Sequence, residues 1–289
     1  MGAGQESEGR SLNGRPRTTA LVPFPVAFLM DQNDGGPAHV ALNRSYWNER
    51  ALDWVAAGER AWSAPEPYWG IWNVPEHELG LLPAAMSGLR AVELGCGTGY
   101  VSGWMARRGA QVTGIDVAEG QLATARRLAA KHGATVEFVH GDAEHTPFAD
   151  ESFDFAISEY GAAIWCDPHA WLPEAHRILR PGGLLRFLGN HPFVPAFSPA
   201  DGSALTLRLQ RPYFGGHRYD WSNVPIDPGG VEFNLTFEEW VSLFRRTGFS
   251  IEGFKEPRPA ALSEETRFFV SGEWAAAWPS EQVWFLRKG

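Results

Sequence analysis

A chain of 289 residues with 34 acidic against 25 basic side chains carries a formal charge of −9, which disfavours nucleic acid or an anionic membrane as a partner, since either requires a basic face. No apolar run reaches the roughly 20 residues of a bilayer span, and two cysteines, Cys96 and Cys166, are too few for a disulfide scaffold or a structural zinc site. These features describe a cytoplasmic globular chain with free thiols, rich in Trp (13), Pro (21) and Gly (32).

Residues 1–36 read as a disordered leader. Its one apolar stretch, ALVPFPVAFLM (20–30), holds two prolines and no cleavage site, so it is expected to be neither anchor nor signal peptide, and Met30 is an alternative start. Residues 37–88 form an N-terminal aromatic helical cap, with a helix expected from about Arg44 to Arg60 followed by the aromatic loop PEPYWGIW. Trp47, Trp54, Trp62 and Trp69 recur at the spacing of one helix face, but Gly58, Pro65 and Pro67 interrupt it.

From Leu89 short apolar runs alternate with helical stretches, the pattern of parallel strands joined by crossover helices. Strands are expected at 90–95, 110–116, 135–142, 152–160 and 184–190, with helices at 101–109, 118–133 and 172–183. The fold class is therefore α/β, a Rossmann-like doubly wound sheet of about seven strands, whose ligands bind beyond the carboxyl ends of the strands. At the first end lies Glu93-Leu-Gly95-Cys-Gly97-Thr-Gly99, where glycines permit a sharp turn and close backbone approach to a ligand. Asp116 and Asp142 end the next two strands. An acid at the first position can hold both hydroxyls of a ribose, and one at the second can grip an adenine amino group. Each acid also fits a plain strand-end cap or Asx-turn. The dinucleotide spacing G-x-G-x-x-G fails here, because Tyr100 stands where a glycine is needed and starting at Gly97 gives one residue too many. That spacing, and the lack of a Tyr-x-x-x-Lys pair around Tyr160, disfavours a nicotinamide-dependent oxidoreductase.

Over residues 89–190 the chain resembles the class I S-adenosylmethionine-dependent methyltransferases of the small-molecule type, with VELGCGTGY as the glycine motif, VTGIDVAEGQL as the ribose motif, HGDAEHTPFADESFDFAIS as the adenine loop and fourth strand, and HRILRPGGLL leading to the fifth. The resemblance implies that S-adenosyl-L-methionine is the cofactor. Gly95, Cys96 and Gly97 would line its methionine, Asp116 its ribose, Val117 and Gln121 the adenine border, and Asp142 with Ala143 the adenine amino group and ring nitrogen. Ser158 and Glu159 would reach the sulfonium end, and Glu93 keeps the family's acidic position before the first glycine. The sheet would be mostly parallel with an antiparallel last strand.

Residues 191–234 are Pro- and Gly-rich and read as a lid or substrate loop; 235–289 supply a capped helix (235–249) and two closing strands that complete the core. Core packing explains most rings of the cap, while Tyr46, Tyr68, Trp69 and Trp72 are candidates to roof the methyl acceptor, joined by Tyr160, Trp165 and Asn190 at the strand ends. A base is required only for a protonated acceptor, and Glu159 and His191 are the candidates, although a lone His there also fits a structural hydrogen-bonder. Asp167 and His169 lie where substrate contacts are common, Asp167 also fitting a helix cap before Pro168. No metal-ligand spacing stands out: His140 and His145 flank a loop, and His169 and His176 are seven apart. The expected activity is methyl transfer to O or N of a small aromatic or uncharged molecule, with a non-catalytic S-adenosylmethionine-binding or scaffold protein as the alternative and the oligomeric state left open.

Overall fold

The computed structural model describes residues 38–226, 228–259 and 265–289. The leader, the ALVPFPVAFLM stretch and Met30 lie outside the described residues.

Seven strands make one sheet: β1 (Arg90–Leu94), β2 (Gln111–Asp116), β3 (Val136–His140), β4 (Phe153–Glu159), β5 (Leu179–Asn190), β6 (Phe249–Lys255) and β7 (Glu281–Lys288). Their order across the sheet is β6-β7-β5-β4-β1-β2-β3. The pairings β1 with β2, β1 with β4, β2 with β3 and β4 with β5 are parallel, and β7 runs antiparallel to both β5 and β6. The last strand is thus the antiparallel one, as the resemblance implied. Its register places Glu281 opposite Asn190, so the beginning of β7 lies at the edge where the parallel strands end.

Side-chain alternation along the strands divides the core in two. On one face Ala91, Phe155, Ile157, Leu188 and Val283 pack with Trp104 and with Trp69, Trp72 and Leu81 of the N-terminal cap. On the other face Val92, Ala156, Phe187 and Trp284 pack with Trp171, Leu172, Trp240 and Phe244.

The cap comprises helix α1 (Ala38–Glu49), a 3-10 turn over Ala51–Trp54 and helix α2 (Val55–Ser63). The single helix expected from Arg44 to Arg60 therefore starts earlier and is broken at Arg50. Gly58 does not interrupt α2. A Cβ there would lie 2.7 Å from the Thr98 hydroxyl, so the glycine lets the helix rest directly on the glycine turn. Helices α3 (Tyr100–Arg107) and α4 (Glu119–His132) follow β1 and β2.

Helix α5 (Pro168–Ile178) corrects the expected span of 172–183, because Asp167 caps the His169 N–H and Pro168 fits the first turn, so helix formation begins earlier. The chain then enters β5 at Leu179 and carries Pro181, Gly182 and Gly183 near the start of the strand. Helix α6 (Phe237–Thr247) has the expected capping box, Thr236 with Glu239, and ends at Gly248 with φ +97°. The closing strands β6 and β7 pair but are not a simple hairpin, since the helix Gly272–Ala277 lies between them.

The segment 191–234 contains the short helix Phe193–Phe197 and an antiparallel pair, Arg218–Asp220 with Val231–Phe233. Asn43 of α1 joins this pair to the core: its amide donates to the carbonyls of Trp165 and Val231, both at 2.9 Å, and its oxygen accepts the Val231 N–H at 2.7 Å. Among the described residues no helix is long and apolar enough to cross a membrane.

Candidate active site

The turn from β1 to α3 is held by Gly95, Gly97 and Gly99 at φ +74°, +51° and +73°, conformations that residues with a Cβ adopt only at a cost. Gly95 packs backbone to backbone on the turn after β4, where a Cβ would stand 2.6 Å from the Ala162 nitrogen. Above Gly97, by contrast, a Cβ would meet nothing within 4 Å, so the turn opens onto free space at that point. Asp116, ending β2, braces the turn: Oδ2 accepts the Gly97 N–H at 2.7 Å and Oδ1 the Ala118 N–H at 2.8 Å. Cys96 is buried beside it, and burial pushes its thiol well up, so it acts as a packed group. Glu93 turns away from the opening. Its Oε2 accepts the backbone N–H of Ser102 at 2.7 Å and the Ser102 hydroxyl, completing the first turn of α3.

Beyond Asp116, the Val117 carbonyl accepts from His140 Nε2 at 3.0 Å. Gln121 is buried on α4, and its Oε1 has no partner among the described residues. An enclosed amide oxygen without a donor is costly, which fits a ligand that brings one. Asp142 accepts the Glu144 N–H at 2.8 Å in an Asx-type turn, next to the buried Ala143. An opening over Gly97, a braced carboxylate and an orphaned amide suit a nucleoside with a polar tail.

The ends of β4, β5 and β7 form the other half of the site. Ser158 is enclosed, donating to the Leu94 carbonyl at 2.8 Å and accepting from the Ala163 N–H, so it joins two strand ends and is not free to reach outward. Glu159 accepts the Gly70 N–H at 3.1 Å with Oε1 and the Tyr100 hydroxyl with Oε2, fastening the cap to the strand edge. Tyr160, with φ +51°, donates its hydroxyl to Glu281 Oε1 at 2.9 Å. Asn190 donates to Glu232 of the 218–233 strand pair at 3.3 Å.

His191 is enclosed between Phe193 and Phe237, and both ring nitrogens are engaged: Nδ1 accepts the Phe193 N–H and Nε2 meets Glu256, each at 3.1 Å. Burial pushes its pKa down to about 3. The geometry thus gives His191 a structural place rather than an open face toward a substrate.

The aromatic candidates divide. Trp69 is fully buried, with its indole N–H on Glu76 at 2.6 Å, and Trp72 donates to the Ser280 hydroxyl at 2.9 Å, so both are core rings. Tyr46, Trp47 and Trp165 form an aromatic cluster with ring separations from 5.0 to 5.9 Å, and half-buried Tyr68 packs edge-on to Trp104. Two acids absent from the expected set join the site over long sequence distances for which local sequence carries no signal: Glu281 through the pairing of β7 with β5, and Glu232 through the side-chain hydrogen bond from Asn190, 42 residues away. The fold also gathers Asp167, His169 and His217, the last donating to Asp167 at 3.0 Å, a grouping that spacing did not pair because His217 arrives from a distant segment.

Burial pushes Glu93 and Glu281 up to about 8 and Glu232 to about 7, against an ordinary value of 4.5. Between pH 4.5 and 7 the folded chain therefore holds three protons that the unfolded chain has released, so stability present below 4.5 is lost as pH rises through 8. His191 acts oppositely, since the unfolded chain takes a proton below 6.5 that the folded chain refuses until about 3, and His169 and His176, lowered by burial, act the same way. All three act only below 6.5, however, whereas the acids act up to 8 and are joined by Asp116, Asp142 and Glu159, which burial also raises. The melting temperature of the ligand-free protein is expected to fall from pH 5 to pH 8.5 in differential scanning; a rise across that range would refute the assignment.

A family description for a methyltransferase domain matches residues 92–187. The chain is 41% identical over 172 residues to a ubiquinone biosynthesis O-methyltransferase of Ruegeria pomeroyi, covering 53% of this chain and 67% of that protein. It is similar to the structure of an S-adenosylmethionine-dependent methyltransferase from Mesorhizobium loti, with 27% identity, a TM-score of 0.61, and coverage of 76% of this chain and all of that one. The [4+2]-cyclase SpnF shares the fold at 23% identity and TM-score 0.57, covering 86% of this chain and 96% of that one. The chain belongs to the S-adenosylmethionine-dependent methyltransferases. It is an enzyme, and S-adenosylmethionine is its methyl donor.

Proposed function

We propose that this enzyme methylates an oxygen of a small, uncharged hydroxylated aromatic molecule. The observation that carries the reading is the make-up of the strand edge beyond the glycine turn, where Glu159, Glu232 and Glu281 meet the rings of Tyr68, Tyr100 and Tyr160. A phosphorylated or carboxylated acceptor would bring a charge into an edge where burial already keeps the carboxyls from ionising, whereas a neutral ring is accommodated by the aromatic side chains and its hydroxyl by the carboxyls. Oxygen is favoured over nitrogen because the Ruegeria pomeroyi relative is an O-methyltransferase.

On this reading Gly95, Cys96 and Gly97 hold the methionine portion, Asp116 the ribose, and Val117, Gln121, Asp142 and Ala143 the adenine. Bound there, the cofactor supplies a methyl group activated by a sulfonium. Asp116 and Glu159 keep negative charge near a cationic ligand, and Glu159 also fixes the cap through Gly70, which shields the edge from water. Trp165 with Tyr46 and Tyr68 flank the acceptor, and His191, with both nitrogens engaged, supports the fold rather than moving a proton.

The test is methyl transfer from labelled S-adenosylmethionine to a matched panel of neutral phenols, their carboxylated analogues and the corresponding anilines. Product mass spectrometry should show transfer to phenolic oxygen, at rates at least about tenfold above the carboxylated analogues, the size of one unfavourable charge contact. Transfer confined to anionic acceptors or to nitrogen would overturn the proposal.

A further inference from the structure

Glu281 belongs to no motif of the cofactor-binding core, yet β7 delivers it to the active edge as its first residue, opposite Asn190. It is fully buried. Oε1 accepts the Ile71 N–H and the Tyr160 hydroxyl, each at 2.9 Å, while Oε2 is enclosed without a partner among the described residues. Enclosing an ionised oxygen with no donor is expensive, so the arrangement calls for a proton or a ligand at Oε2.

The backbone around the carboxyl is built to keep it there. Tyr160 holds φ +51°, a conformation that residues other than glycine seldom adopt and that concentrates at functional sites. Gly70, at φ +67°, approaches so closely that a Cβ would stand 2.0 Å from Glu281 Oε1. The groups facing the carboxyl are Tyr160 and Glu159 from the end of β4, with Tyr100 of α3 and Tyr68 of the cap beyond Glu159. Glu232 acts on Tyr160 from the 218–233 strand pair, and Arg267 bonds the Ile71 carbonyl.

We propose that Glu281 is the catalytic base of methyl transfer, with Oε2 receiving the acceptor's hydroxyl proton and Tyr160 as the positioning residue that aims the carboxyl. The assignment rests on the hydroxylated-acceptor reading above. The acceptor O–H bond breaks and its proton passes to Oε2. The freed electron pair on oxygen forms the bond to the methyl carbon, and the carbon–sulfur bond breaks with its pair retained by sulfur as a thioether. Burial, reinforced by Glu159, holds Glu281 up to about 8, so the basic form grows as pH rises through that value and the rate should rise with it.

The test uses the full chain with catechol as acceptor probe and S-adenosylhomocysteine as binding probe. Glu281→Gln should bind S-adenosylhomocysteine with wild-type affinity in calorimetry, transfer methyl about 100-fold more slowly, and lose the rise in rate between pH 7 and 9. Tyr160→Phe removes a donor that stabilises the carboxylate, so it should move that rise to higher pH. It also serves as the test should the Gln variant not fold. Infrared titration of the protein without acceptor should show two protonated carboxyls that ionise near pH 8, Glu93 and Glu281, and only one of them in Glu281→Gln. Wild-type rates in the Gln variant, or a carboxyl ionising in the ordinary glutamate range, would overturn the proposal. A wild-type enzyme that binds S-adenosylhomocysteine but leaves catechol unmethylated overturns the hydroxylated-acceptor reading and this role with it, whereas a wild type that methylates catechol no faster than Glu281→Gln overturns the role of Glu281 alone.

Discussion

Asp116→Ala is expected to weaken S-adenosylmethionine binding by at least about 100-fold while lowering the melting temperature only slightly, because hydrogen bonds to a charged group are worth roughly 1.5–3 kcal/mol each. The carboxylate accepts the Gly97 and Ala118 N–H groups, so its removal frees the glycine turn and the start of α4 together with the acid assigned to the ribose. Stability should change less than affinity. Burial opposes the ionised form of Asp116, so the folded chain carries a desolvation cost that the Ala variant no longer bears. Asp116→Asn separates the two roles, since it keeps an oxygen for one N–H and turns an amide donor toward the other, and intermediate affinity is expected. Calorimetry with S-adenosylmethionine reads both variants, and an unchanged affinity in Asp116→Ala would remove the ribose assignment and, with it, the role of the glycine turn as the cofactor cradle.

The cofactor half of the site was legible because its signals are local. A strand, a glycine turn, a helix and an acid at the next strand end lie within about 25 residues, and each obeys a short-range rule of backbone conformation or strand-end placement. The acceptor half was not, because Glu281 meets Tyr160 across 121 positions and Ile71 across 210. An acid opening a terminal strand reads as an exposed charge until the register of β7 against β5 carries it inward. Tryptophan follows the core-packing expectation: Trp62, Trp69, Trp104, Trp171, Trp240 and Trp274 are all fully buried, and two of the roof candidates, Trp69 and Trp72, use their N–H groups on Glu76 and Ser280. Bulk in this chain is spent on joining the cap to the sheet, and sequence shows where rings fall along the chain but not which face they meet. Gly58 taught the same lesson in reverse: it reads as a helix breaker, whereas its missing side chain is what allows α2 to lie against Thr98.

Trp104→Ala is expected to produce the largest loss of stability. The ring is 1% exposed on α3 and packs edge-on to Tyr68, Trp69 and Tyr100 at 5.1–5.6 Å, with its indole N–H donating to the Ala61 carbonyl at 3.0 Å. Truncating a buried Trp costs about 3–5 kcal/mol, and at roughly 2–4 °C per kcal/mol for a chain of this size the melting temperature should fall by about 10 °C. Trp104→Phe retains most of the apolar bulk and removes one of two donors to the Ala61 carbonyl, which keeps the Ala64 N–H at 3.2 Å, so a smaller fall is expected. The loss should reach the chemistry selectively. Tyr100, deprived of its ring partner, is the residue whose hydroxyl rests on Glu159, and Glu159 in turn holds Gly70 of the cap over the strand edge. The glycine turn is held independently by Asp116 and by Trp62, whose indole donates to the Thr98 carbonyl at 2.9 Å. KM for the acceptor should therefore rise well beyond any change in the Kd for S-adenosylmethionine. A melting temperature within about 2 °C of wild type, less than 1 kcal/mol on the same scale, would show that the cap is not anchored through this ring.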